Sequence, residues 1–164
     1  MHIRREVPED TGQIDEVQAA AFGQSLEAEL VTALRDGGHS IAELSLIAEV
    51  EGRVVGHVVC SRGELAGQPS VGLGPIGVLP ELQGEGVGSA LMHAVIAAAD
   101  ALGEPLIALL GSPDYYRRFG FVPSTDVGIT PPDPAWSVFQ VRTLSTYDTA
   151  IAGQFNYAEP FNNL

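Results

Sequence analysis

The chain is 164 residues long, the size of one domain that buries its own core, and its 21 acidic against 8 basic residues give a net charge of −13. That balance argues against nucleic acid or an anionic membrane as a partner, since both need clustered Lys and Arg; it favours a cationic substrate such as an amine, unless the acidity serves only solubility. The single cysteine, Cys60, excludes an intrachain disulfide, and with neither an apolar signal core after Met1 nor an apolar run of membrane-spanning length the expectation is a cytoplasmic protein.

His2 to Glu6 reads as a first strand, and Pro8 suits the first turn of a helix in which Ile14, Val17, Ala21 and Phe22 share the buried face. Ser25 stands where a cap would open a second helix with Leu26, Leu30, Ala33 and Leu34 on one side, and Gly37-Gly38 stops it. Leu46 to Val50 and Arg53 to Ser61 are β-rich runs joined by Glu51-Gly52, a hairpin signal. Cys60 closes the apolar run that begins at Val54, which suits a buried packing residue better than a nucleophile. A polar turn around Gly67-Gln68-Pro69 leads to a strand over residues 71 to 79, with Pro75 between Gly74 and Gly77. Proline cannot donate to a sheet ladder, so a bulge is expected there, at a point where pairing with a neighbour fails.

From Val87 onward the apolar positions Val87, Ala90, Leu91, Ala94, Val95, Ala98 and Leu102 step by three and four, which draws one stripe of a helix with His93 and Asp100 off it. The helix opens on Gln83-Gly84-Glu85-Gly86-Val87-Gly88. Glycines lack Cβ atoms, so a ligand can come close to N–H groups that have no intrahelical acceptor, and the helix dipole adds positive potential; phosphate oxygens fit both. The same glycines also fit a loop that merely packs the helix tightly on the sheet. Gly72-Leu73-Gly74-Pro75-Ile76-Gly77 spells G-x-G-x-x-G, but a dinucleotide site needs a helix opening at its third glycine, and Val78-Leu79-Pro80 reads as strand. Further on, Gly103-Glu104-Pro105 ends the helix, Leu106 to Leu110 reads as a buried strand, and Ser112-Pro113 opens a short helix carrying Tyr115 and Tyr116. Residues 123 to 135 are loop-like, Trp136 to Leu144 reads as the last strand, and Tyr147 to Leu164 shows no period.

Two of these stretches match a known pattern. Gln83-x-x-Gly86-x-Gly88, following the strand Ile76-Gly77-Val78-Leu79-Pro80, resembles the acetyl-CoA pyrophosphate motif (Q/R-x-x-G-x-G/A) of the GNAT superfamily of acyl-CoA-dependent N-acetyltransferases. Tyr116-Arg117-Arg118-Phe119-Gly120-Phe121 is similar to that superfamily's Y-x-K/R-x-G-F signature. The likeness runs from residue 2 to about residue 144, and the wording at residues 111–116 and 157–162 looks most like the YhbS-like branch. The resemblance implies an α/β fold, with a mixed and mostly antiparallel sheet flanked by helices. It further implies a single N-acetyltransferase domain over residues 1–146 with a C-terminal tail at 147–164, and acetyl-CoA as co-substrate. Ile76, Gly77 and Val78 would lie along the pantetheine arm where two strands splay, with a backbone N–H near Val78 polarising the thioester carbonyl. Gln83, Gly84, Glu85, Gly86, Val87, Gly88 and Ser89 would hold the pyrophosphate. Glu85 departs from the Arg or Lys that relatives often place in this loop, but a loop that binds through backbone N–H groups lets that side chain point to solvent.

The reaction so implied is direct attack of a neutral primary amine on the thioester, without metal or acyl-enzyme. Tyr116 matches the tyrosine usually assigned as general acid to the departing thiolate, with Tyr115 next in line. For the general base, His57, Glu43, Glu64, Asp114 and a water chain stand open, since no spacing selects among them. The acceptor also stays open between small-molecule and peptide amines. Homodimers are common among proteins of this type. A non-catalytic acyl-CoA-binding module built on the same cradle is the rival reading.

Overall fold

In this computed structural model, which describes residues 1–163, two-residue turns organise the first half of the chain. Strand β2 (Ser40–Val50) returns into β3 (Arg53–Leu65) through Glu51 and Gly52, at φ 50° and 79°. β3 returns into β4 (Gln68–Val78) through Ala66 and Gly67, again at 50° and 79°. Two positive φ values in succession twist a turn the way the strands themselves twist, so long hairpins close without splaying. β1 (His2–Arg5) adds antiparallel to β2. On the other side come β5 (Leu106–Leu110), β8 (Phe139–Thr143) and the two-residue β6 (Val122–Pro123), giving the order β1-β2-β3-β4-β5-β8-β6. Within this order only β4–β5 is parallel, so the sheet is mixed and mostly antiparallel, flanked by helices.

Neighbouring residues on a strand face opposite sides of the sheet, and Gly56 and His57 on β3 reveal what covers each. A Cβ at Gly56 would meet Val87 and Leu91 of α3 (Val87–Ala101), whereas the His57 ring reaches Gln18 of α1 (Thr11–Phe22). Helix α1, with α2 (Leu26–Asp36) packed beside it, therefore covers one face and α3 the other. The buried row of α3 steps by four through Val87, Leu91, Val95 and Ala99, joined by Met92. Ala90, Ala94 and Ala98 flank that row half-buried, and Leu102, expected on the stripe, is exposed because the helix has ended. In α1 and α2 the buried residues are Ile14, Val17, Gln18, Ala28, Leu30, Val31 and Leu34; Phe22, Leu26 and Ala33, expected inside, are exposed. Ser25 does not cap α2 through its side chain but donates to Glu29 Oε1 at 2.6 Å. Cys60 is fully buried, and burial pushes its thiol well above the ordinary range, consistent with a packing role.

The C-terminal third differs most from the sequence reading. The stretch expected to be loop, residues 123 to 135, takes in the end of β6, a 3-10 turn at Ser124–Val127 and β7 (Ile129–Thr130). β8 is not the last strand: the aperiodic tail contributes β9 (Gly153–Asn156), which pairs with β7 and with the far end of β3 at Glu64 and Leu65. β9 brings Phe155 into a second core with Leu65, Leu106, Ile129, Phe139 and Val141. Among the described residues no helix is long and apolar enough to cross a membrane.

Candidate active site

The site begins with a fault in β4. Val58 faces Ile76 across the β3–β4 ladder while Cys60 faces Leu73, so Gly74 and Pro75 together oppose Val59 alone. This is the bulge that an interior proline predicts, and it falls where β4 parts from β5: the two strands register only at Gly72↔Ala108. Beyond it, Leu79 N–H donates to Val55 O at 2.9 Å, so strand alternation turns the backbone groups of Val78 and Ile76 away from β3. Among the described residues no strand lies on that side, and a polar backbone edge is left open in mid-sheet.

At the end of this edge lies a cavity of about 410 Å³, lined by Val78, Gln83, Gly84, Gly86, Gly88 and Ser89 together with Tyr115 and Arg118. Gly84 and Gly86 sit at φ 79° and 91°, where a side chain would be strained. The first intrahelical bond of α3 runs from Ala90 N–H to Gly86 O at 3.0 Å, which leaves the Val87, Gly88 and Ser89 N–H groups without helical acceptors. Gln83 Nε2 donates to Val78 O at 3.0 Å, tying the glycine loop to the strand end. The Arg118 guanidinium lies 4.7 Å above the Tyr115 ring and its Nε donates to Tyr115 O at 3.0 Å, which sets a positive charge in the cavity wall. Glu85 is exposed and does not line the cavity, and the Val87 side chain is buried in the core. Arg117 turns instead toward Asp114, 3.9 Å away, on the surface.

Sharing Val78, Gln83, Gly88 and Tyr115 with this cavity is a second of about 270 Å³, which runs past Ile76 and Gly77 to Ala21, Phe22 and Tyr116. A Cβ on Gly77 would stand 2.7 Å from Gln18 Oε1 and 3.1 Å from the Ala21 Cβ, so α1 can close on the strand only over a glycine. The slot in turn shares Phe22, Ile76 and Tyr116 with a third cavity of about 360 Å³. Its remaining walls include Glu27 and Leu30 from α2, Trp136, and Tyr157 and Phe161 from the tail. The three spaces form one path, and Tyr116 stands at the boundary between the second and third.

Tyr116 ends α4 (Pro113–Tyr116), a single turn that starts on Pro113; Ser112 O accepts from the Tyr115 and Tyr116 N–H groups, both at 3.1 Å, and the Ser112 side chain makes no cap bond. Gly111 is required beside it, because a Cβ there would overlap the Tyr116 ring. The ring packs edge-on against Tyr115 and Phe121, with centroids 4.9 and 6.0 Å away. Burial, reinforced by Tyr115, pushes the Tyr116 phenol up to about 12, so it is a protonated donor at neutral pH. Burial likewise raises Tyr157, with Tyr116 adding to the effect.

None of the side chains considered for the general base lines these cavities. The His57 ring is fully buried with both nitrogens engaged, Nδ1 with Gln18 Nε2 at 2.8 Å and Nε2 with Glu6 Oε2 at 2.7 Å. Burial pushes the Glu6 carboxyl up, but the hydrogen bond and charge of His57, with Arg35 at 3.4 Å, outweigh it and hold Glu6 below its ordinary range. Glu64 and Asp114 are exposed and Glu43 is half-buried on β2, all outside the path. No spacing in the sequence relates Glu27, Trp136, Tyr157 and Phe161 as site residues, and Arg118 lies inside the recognised signature with nothing to set it apart from Arg117.

Comparison with known proteins extends this geometry. Residues 12–121 match the model of the Acetyltransferase (GNAT) family. The uncharacterized N-acetyltransferase YjhQ of Escherichia coli K12 is 33% identical over 92% of this chain and 88% of its own length, and YhbS of the same strain is 32% identical over 99% of both. The crystal structure of E. coli YhbS in complex with CoA superposes with a TM-score of 0.91 at 30% identity, covering 98% of this chain and 91% of that one. A GNAT family acetyltransferase from Brucella melitensis in complex with acetyl-CoA gives 0.82 at 34% identity, covering 98% and 97%.

Proposed function

The chain belongs to the GNAT family of acetyltransferases, and from that premise we propose how its residues divide the work of an acetyl-CoA-dependent N-acetyltransferase acting on a primary amine. The open β4 edge and the glycine loop fit the co-substrate: free N–H groups at the start of α3 and the Arg118 charge suit a pyrophosphate, and the slot between them and Tyr116 suits a narrow arm. Acetyl-CoA supplies an activated thioester. Gln83, Gly84, Gly86, Gly88 and Ser89 form the cradle, with Glu85 and Val87 contributing backbone only. Ile76, Gly77 and Val78 line the slot, and the Val78 N–H, turned toward it, is placed to stabilise negative charge developing on the thioester oxygen. Tyr116 gives its proton to the leaving sulfur. The observation that carries this assignment is that Tyr116 borders both the slot and the third cavity, so one phenol lies between the spaces we assign to donor and acceptor. Tyr116→Phe is expected to slow acetyl transfer at least about 100-fold while leaving CoA binding, read by thermal shift, unchanged. Turnover at the parental rate would remove Tyr116 from the chemistry. A cytoplasmic place of action and a homodimer are what we expect from the sequence reading and the family, the second to be read by light scattering.

A further inference from the structure

The third cavity has a lining that narrows what it can hold. Most of its lining is apolar or aromatic, and it contains neither arginine nor histidine; lysine is absent from the whole chain. Among the described residues Glu27 is the only carboxylate in the wall. A carboxylate in the first turn of a helix is favourable in itself, and Glu29 shows the ordinary case, exposed and bonded by Ser25. Glu27 differs: it is half-buried at the cavity wall, and Gln24 Nε2 holds its oxygens at 3.0 and 3.2 Å, leaving further lone pairs free.

Resting on the acetyltransferase reading above, we infer that the acceptor is a primary amine carried on an apolar body, aromatic or branched aliphatic, without a carboxylate of its own, and that Glu27 is the residue selecting its ammonium. The apolar walls desolvate a hydrocarbon body favourably, and Trp136, Tyr157 and Phe161 offer aromatic faces to it. An acceptor carboxylate would be buried with no cationic partner and would face Glu27, a like charge. That penalty separates a simple amine from the amino acid of the same skeleton. The overall charge of −13 works in the same direction, raising the local concentration of cations at the entrance. The ammonium must lose its proton before attack, so Glu27 is assigned to recognition and positioning rather than to the transfer step.

The test compares 2-phenylethylamine with phenylalanine, which differ by one carboxylate, using the full chain and acetyl-CoA with thiol release as readout. Cys60, the only cysteine, is buried and gives no competing signal, and an absence of lysine removes side-chain self-acetylation. Trp136, the only tryptophan, lies in the cavity wall, so its fluorescence reports acceptor binding independently of turnover. The expected result is a Trp136 response to 2-phenylethylamine and a kcat/KM at least about tenfold above that for phenylalanine. Glu27→Gln should raise KM for the amine about tenfold with kcat changed far less and the CoA thermal shift intact, and Glu27→Asp should restore part of the loss. Equal or better use of phenylalanine, an unchanged KM in Glu27→Gln, or no Trp136 response to the amine overturns the inference. If spermidine or a peptide amino terminus is acetylated while 2-phenylethylamine is not, the inference falls and the acetyltransferase assignment stands. If no CoA thermal shift is seen and no amine consumes acetyl-CoA, the assignment itself falls.

Discussion

Replacing Gly88 by alanine is expected to leave the stability of the free protein nearly unchanged while weakening CoA binding about tenfold. Alanine is favoured over glycine within a helix by roughly 1 kcal/mol. Against this, the new Cβ would stand 3.0 Å from the Tyr115 hydroxyl and 3.8 Å from Val78 Cγ2, an approach that the free end of a tyrosine relieves by shifting a few tenths of an ångström. That relief is inexpensive, and a first-turn position realises only part of the helical preference, so the free protein should change by less than about 1 kcal/mol, a midpoint change under about 4 °C in a domain of this size. The same Cβ, however, stands in the wall common to the cradle and the slot. CoA at about 100 times its Kd adds roughly 2.7 kcal/mol, a rise of about 5–10 °C; with Kd raised tenfold the same concentration adds roughly 1.4 kcal/mol, so the shift halves. Thermal melts with and without CoA at one fixed concentration measure both quantities. Gly86→Ala is the control of opposite sign: nothing lies within 4 Å of its Cβ, but φ is 91°, and the backbone strain of about 1–2 kcal/mol should lower the midpoint of the free protein. A full parental CoA shift in Gly88→Ala would refute the placement of the ligand against this helix start.

Other expectations follow from the same contacts. Because the Tyr116 phenol is raised to about 12, its proton is lost only as pH climbs through that value; kcat/KM should rise with pH as the amine deprotonates, and a descending limb between pH 8 and 10 would exclude Tyr116 as the donor. Asp10 takes two hydrogen bonds from Arg4, at 2.7 and 2.9 Å, and one from Val7 N–H, and the Arg4 bond chiefly holds its carboxyl below the ordinary range. A depressed carboxylate stabilises above its unfolded pKa and loses that contribution as pH falls through its folded value. Asp10→Asn should therefore cost about 1.5–3 kcal/mol in denaturant titrations at pH 7, and the gap to the parent should shrink below about pH 4; a gap independent of pH would count against the ion pair. Phe155→Ala, which empties a fully buried site in β9, should cost about 3–5 kcal/mol and be visible by calorimetry; a midpoint within 2 °C of the parent (roughly the shift from 1 kcal/mol) would mean the tail is not integral to the second core.

What the sequence disclosed was carried by local chemistry. Glu51-Gly52, the glycines around the start of α3 and Pro75 each act through their own backbone, so turn, glycine loop and bulge were readable where they stand. Burial was less readable, because period marks a face but not what covers it: Phe22 is apolar and exposed since it borders the slot, and Leu110 is exposed at the end of a buried strand since it borders the third cavity. β7 and β9 are too short for any period to register, and their pairing joins residues more than 20 positions apart. The wall of the third cavity is assembled from α2, the segment before β8 and the tail, so its composition exists only in three dimensions.

The bare stretch of β4 has a further consequence. A strand edge with unpaired N–H and C=O groups is normally a template for a second chain and hence for aggregation. In this protein it is guarded by the bulge at Gly74 and Pro75, by the missing donor of Pro75, and by a slot whose walls, Phe22, Tyr115 and Tyr116, leave about 270 Å³. While the slot is empty, the Ile76 and Val78 amides should exchange with solvent like those of an outer strand, although they lie in the middle of the sheet.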